Sequence, residues 1–188
     1  MARPRRDEKR HAILKAAAKV IARQGLSAPT AMIGKEAGVS NGALFTYFET
    51  KAELLNQLYI ELKAQMAAAT TTELPIDADM RDQMLYVWRG WLDWAISHPV
   101  ERRALAHLGV SDDVTAQSHE AASQLYAEVA NLLDRSRANG PLHDAPLMFV
   151  AALVTGVVDA TIDYMMRNPD NAQQHAADGF ETLWRMVT

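Results

Sequence analysis

Residues 30–51 read TAMIGKEAGVSNGALFTYFETK, and the fold turns on this stretch. Gly38 stands between two short apolar patterns, one through Ile33 and Ala37, the other through Leu44 and Phe48. Glycine adopts a positive φ at no steric cost, so a sharp turn is expected there. Thr30 is placed to cap a first helix, read as 31–37, and Ser40 to cap a second, read as 41–47. Helices under three turns do not persist alone; they hold only when packed on each other and on a third helix. Ile33, Ala37, Val39, Leu44 and Phe48 supply the shared core. Such a pair is a helix-turn-helix, whose second helix enters the major groove of DNA.

The third helix precedes this stretch. From Asp7 onward, Ile13, Leu14, Ala17, Ala18 and Ile21 form a stripe of period 3.6, and Gly25 ends it. After it, Thr50 caps a longer helix, read as 51–69, through Leu54, Leu55, Leu58 and Leu62. TTTELP at 70–75 reads as a linker. Further helices are read over 78–97, 100–109, 113–138 (capped by Asp112 or Asp113), 145–167 and 171–187. Their stops are His98-Pro99, Asn139-Gly140-Pro141 and Asn168-Pro169. No alternating strand pattern occurs. The sequence predicts an all-α protein of about nine helices. Residues 1–50 form a three-helix DNA-binding domain, residues 51–188 a larger helical domain, and helix 51–69 connects them.

Composition narrows the function. Hydrophobic residues make up 49% of the chain, enough for a sizeable core. With no cysteine, disulfide scaffolds, thiolate zinc sites and a cysteine nucleophile are excluded. The basic N-terminus lacks a following apolar stretch, so no secretory signal is read. No apolar run is read as reaching the ~18–20 residues of a membrane span. A cytoplasmic protein without membrane contact is expected. The six histidines, at 11, 98, 107, 119, 143 and 175, never pair at the i, i+3 or i, i+4 spacing of helical metal ligands. Neither a phosphate-binding glycine loop nor a GxSxG elbow occurs. The sequence therefore predicts no catalytic residue, no metal, no cofactor and no enzyme. Charge is uneven: residues 1–63 carry 11 lysines and arginines against 6 acidic residues, and the remainder 8 against 17. A basic first third suits a polyanionic partner.

The motif resembles the TetR/AcrR family of repressors. The resemblance rests on Ala37-Gly38-Val39-Ser40, Gly42, Leu44-Phe45, Tyr47-Phe48 and Lys51, with Gly25-Leu26 ahead of them. Gly34 departs from it, where the family usually has alanine. The resemblance implies a repressor that binds double-stranded operator DNA as a homodimer. By similarity Tyr47 and Lys51 contact phosphates, and Thr30 does so from the start of its helix. Ser40, Asn41, Thr46 and Tyr47 lie on or beside the exposed side of the recognition helix, and Gly42 permits close approach. Asn41 and Thr46 are candidates for base-edge contacts, the alternative being plain solvated helix residues. Phe45 is open between packing and a thymine-methyl contact. Arg3, Arg5 and Arg6 form a basic arm, either for phosphates and the minor groove or as a solvated tail.

The resemblance also assigns the larger domain to ligand binding and dimerisation. The dimer candidates are Val157, Ala160, Phe180 and Trp184, with Gly156 giving a seam of small residues. The ligand candidates are Met84, Trp88, Trp91, His107, Tyr126 and Tyr164, residue types that line apolar sites and also ordinary cores. The implied effector is an unidentified small molecule, largely apolar or aromatic, that releases the operator. The alternative is a DNA-binding or protein-interaction module of the same fold with no small-molecule response. Asp159 and Asp163 stand beside the seam, facing a rim, a pocket or a partner.

Overall fold

The computed structural model describes the backbone of residues 3–188 and the side chains of residues 6–188. Its elements are α1 (Arg3–Gln24), α2 (Thr30–Ala37), α3 (Asn41–Leu44), α4 (Lys51–Thr71), α5 (Met80–Ser97), α6 (Pro99–Gly109), α7 (Ala116–Gln124), α8 (Ala127–Ser136), α9 (Leu147–Arg167) and α10 (Ala172–Val187). A 3-10 turn, Pro169–Asn171, links the last two, and no strand occurs among the described residues.

The count exceeds the expected nine because the segment read as 113–138 is two helices. The chain turns at Leu125 and Tyr126, although neither glycine nor proline stands there. Leu125, expected on the apolar stripe, is exposed. The break coincides with a boundary between two compact units: α7 belongs to one and α8 to the other. One unit comprises residues 1–65 and 98–124, the other 66–97 and 125–188. α4 contributes to both, changing unit after Gln65.

In the first unit α1 packs on α2 and on α6. Its apolar stripe, Ile13, Leu14, Ala17, Ala18 and Ile21, is buried as the periodicity requires. Lys19 and Arg23 on α1 reach Glu36 on α2 at 3.3 and 3.0 Å. Hydrogen bonds from Lys19 and then Arg23 hold the Glu36 carboxyl below the usual carboxylate range. This contribution is present above that range and fades as pH falls through the lowered value. α7 is fastened to α4 by polar groups. Asn56 donates to the Asp113 carbonyl at 2.7 Å and accepts from Thr115 N at 2.9 Å and Ser118 Oγ at 2.6 Å. Thr115, not Asp112 or Asp113, caps α7, accepting from Ser118 N at 3.2 Å.

In the second unit α5 packs against α8, α9 and α10. Trp88, Phe180 and Leu183 are buried among them, and the Trp88 and Phe180 ring centroids lie 6.1 Å apart. Trp88 Nε1 donates to the Ala176 carbonyl at 3.1 Å, which satisfies its polar edge. The Arg137 guanidinium fastens the loop before α9, donating to the carbonyls of Leu142, His143 and Ala145 at 2.8, 2.9 and 2.6 Å. Gly90 marks a close approach: a Cβ there would lie 2.1 Å from the Ala69 carbonyl oxygen. Gly90→Ala should therefore destabilise the protein by about 1–3 kcal/mol, the usual cost of overpacking. A lowered urea midpoint at unchanged slope would register this.

α9 corrects one expectation. At 21 residues it is long and apolar enough to cross a membrane by length and composition, and only 22% of its most apolar window is buried. One side, with Val150, Val154, Val158 and Ile162, enters the core of its unit. The other exposes Met148, Phe149 and Tyr164, with Ala152, Gly156 and Ala160 between them.

Candidate nucleic-acid interface

The site begins at Pro29, which occupies the N-cap of α2 in extended geometry. Thr30 is thus the first helical residue and makes no cap bond, contrary to the expected role. Proline wins because its carbonyl opens the ladder, accepting from Met32 N at 3.0 Å. α2 ends at Gly38, whose φ of +68° is left-handed, as its place between the helices requires. At Gly34 a Cβ would lie 3.0 Å from the Val39 carbonyl oxygen, so the departure from alanine keeps this turn close.

Ser40 caps α3, its Oγ accepting from Ala43 N at 3.1 Å. The α-helix is shorter than expected and ends at Leu44; Phe45 to Tyr47 continue as turns, Thr46 N to Ala43 O and Tyr47 N to Leu44 O. The segment is sharply two-sided. Leu44 and Phe48 are completely buried, while Asn41, Gly42, Phe45 and Thr46 face outward. Phe45 is 39% exposed, so it is not a core residue. No atom lies within 4 Å of a Cβ built on Gly42, which leaves that surface open.

Hydrogen bonding defines what each outward group still offers. Thr46 Oγ1 donates its proton to the Ala43 carbonyl at 2.7 Å, which leaves it an acceptor toward a partner. Ser40 is the converse: its oxygen serves the cap, and its hydroxyl proton is a donor. The Asn41 amide is exposed, forms no hydrogen bond among the described residues and retains both functions. Tyr47 and Thr30 are half-buried at the edges.

Lys51 also has a structural role. Its side chain is half-buried, and Nζ donates to the carbonyls of Leu26 at 2.6 Å and Ala28 at 2.9 Å. These carbonyls lie in the turn after α1, so Lys51 ties α4 to that turn. Lys51→Ala should lower stability by about 1.5–3 kcal/mol, the range for hydrogen bonds to charged groups. A thermal melt tests this. Nothing in the local pattern betrays the inward ammonium, whose partners lie 25 and 23 residues back. Arg6 is exposed on α1; the side chains of Arg3 and Arg5 lie outside the described residues. Lys35, in the last turn of α2 and exposed, is a further cation the motif reading passed over.

Three of the six ligand candidates come together. Met84, Trp88 and Trp91 line one apolar void of about 20 Å³ with Val129, Leu133 and Val154, room for about one water. Tyr126 and Tyr164 do not line it; the Tyr164 ring meets His175 edge-on at 4.8 Å. His107 belongs to the other compact unit. Of the dimer candidates, Ala160 is exposed and Val157 and Trp184 are half-buried. Phe180 is 3% exposed and is a core residue of its own chain, because its ring is enclosed by Trp88 and Trp184.

Residues 13–58 match the family model of the bacterial regulatory proteins of the tetR family. A tetR family transcription regulator from Shewanella sp. PV-4 is 27% identical, with a TM-score of 0.84 over 94% of this chain and 96% of that one. A TetR family transcription regulator from Marinobacter aquaeolei VT8 is 21% identical, with a TM-score of 0.88 over 98% of both chains. The transcriptional regulator FadR from Bacillus subtilis, solved in complex with stearoyl-CoA, is 17% identical, with a TM-score of 0.71 over 95% of this chain and 99% of that one. Residues 13–58 thus carry the DNA-binding segment of the tetR family, and nearly the whole chain shares the fold of TetR family transcription regulators.

Proposed function

We propose that the protein is a homodimeric, ligand-responsive repressor that reads operator DNA with α3 and the turn after it. The two-sided segment 41–48 carries this reading: a completely buried Leu44 and Phe48 beneath an outward Asn41, Gly42, Phe45 and Thr46. Asn41 pairs bidentately with adenine, using the acceptor and donors it retains. Thr46 accepts from a base amino group, and Phe45 packs on a thymine methyl. Ser40, Tyr47, Thr30 and the remaining N–H of Lys51 hold phosphates, fixing the register without reading sequence. Asn41→Ala should relax discrimination at one base pair by about 1–3 kcal/mol and leave stability unchanged. Fluorescence anisotropy on fragments selected from genomic DNA measures both specificity and affinity. If no fragment is bound above random DNA, the reading fails.

The effector is a small, largely apolar molecule that enlarges the void beside Met84, Trp88 and Trp91. Adaptable methionine and an all-apolar lining support this, as does the stearoyl-CoA carried by the FadR structure of the same fold. Its binding favours a dimer geometry in which the two recognition helices no longer match successive major grooves. A second reading, repression with no small-molecule response, is favoured by the small size of that void. Operator titrations with and without long-chain acyl-CoA and planar aromatic compounds separate the two: only a sensor loses affinity.

A further inference from the structure

The first compact unit holds a cleft of about 290 Å³ between α1, α4 and α6 that DNA reading does not use. It approaches the size of small-molecule sites, which start at about 300 Å³, and is an order of magnitude larger than the void of about 20 Å³ in the second unit. Its floor is apolar and buried: Leu14 and Ala18 from α1, Leu58 and Leu62 from α4. Over that floor stand two carboxylates from different helices, Glu61 on α4 and Glu101 on α6, both half-buried.

Among the described residues neither carboxylate forms an ion pair. Among the described residues Glu101 has neither hydrogen bond nor ion pair, and Glu61 is met only by the neutral Gln65 amide at 3.2 Å. Glu101 lies in the first turn of α6. Lys15 and His98 line the same cleft; Lys15 is exposed and forms no ion pair with either carboxylate among the described residues, so its charge offsets the acidic pair only from a distance. His11, also at the edge, turns Nδ1 to the Asp7 carbonyl of its own helix at 2.8 Å. An unpaired, part-desolvated carboxylate gains most from a cation that brings its own apolar surface.

We propose that this cleft binds a small organic cation, an alkyl- or arylammonium. Its apolar body lies on the leucine floor and its ammonium between Glu61 and Glu101. The inference does not rest on the proposed repressor function, because both walls and floor belong to one unit and binding is read without DNA.

Calorimetric titration of the full chain with phenethylammonium, and with 3-phenylpropionate as an anion of similar size, tests it. The ammonium should saturate one site per chain and the carboxylate should not. Glu61→Gln with Glu101→Gln should weaken the ammonium at least tenfold with an unchanged circular dichroism spectrum. Lys15→Gln, a change at an exposed residue, should tighten it severalfold. Hydrogen exchange should slow in α1, α4 and α6. Absence of saturable binding at millimolar ammonium overturns the proposal. So do equal affinities for the two probes, an unaltered Gln/Gln variant, or protection confined to α5, α8, α9 and α10.

Discussion

Phe48→Ala is expected to cost about 3–5 kcal/mol, the range for removing a buried aromatic side chain. Phe48 is 0% exposed, and the Arg10 guanidinium lies over its ring at 5.5 Å from the centroid. The ring closes the underside of the reading segment, so the cavity would form where the short α3 is held. An isolated α3 of four residues has no stability of its own. A loss of this size should lower the melting temperature by on the order of 10 °C for a chain of this length. Operator affinity should fall with it, because the outward residues lose their common orientation. Phe45→Ala supplies the contrast. Phe45 is 39% exposed, so its truncation should barely move the melt while still weakening specific DNA binding. Circular dichroism melts of the two variants beside anisotropy titrations check the pair. Equal thermal losses would contradict the inward and outward assignment of the two rings.

That contrast also shows what local chemistry reveals. Gly38, Ser40, Thr50 and Gly25 were legible because each acts on its own few residues: a left-handed turn, a cap at N3, a helix stop. The alternation of buried and outward residues after Asn41 followed from helical period in the same way. Thr30 was misread because Pro29 opens the helix one residue earlier, and both are plausible starts on propensity alone. Features set by distant contacts were not legible. The turn at Leu125 and Tyr126 arises where the chain passes between compact units, without a breaker residue. Lys51 looks like any surface lysine at a helix start until the Leu26 and Ala28 carbonyls are placed beside it. Phe180 and Trp184 share an apolar pattern, and only the position of Trp88 decides that Phe180 is interior. The cleft over Leu58 combines residues from three helices, so no window of sequence contains it.

The second large effect is expected on α9. Its exposed side presents Phe149, Ala152, Gly156, Ala160 and Tyr164 at steps of three and four residues, an apolar stripe with small residues at its centre. Such a stripe on a helix whose other side is already packed suits a two-fold contact, with small residues letting the two backbones approach. In the proposed dimer, Ala160→Glu would bring two carboxylates, one from each copy, toward the symmetry axis. Each would lose water without gaining a counter-ion. Ala160 is exposed within its own chain, so the monomer's fold should be untouched. Sedimentation should therefore show a dimer becoming a monomer while far-ultraviolet circular dichroism stays the same. The loss at DNA should exceed any single base contact. In a dimer the second recognition helix binds at high effective concentration, and removing that linkage costs about 10²–10⁴-fold in affinity. Binding to an isolated half-site should be unchanged, because Asn41, Thr46 and their support are not altered. A variant that sediments as a dimer, or that binds half-site and full operator with the same loss, would place the two-fold contact elsewhere on the chain.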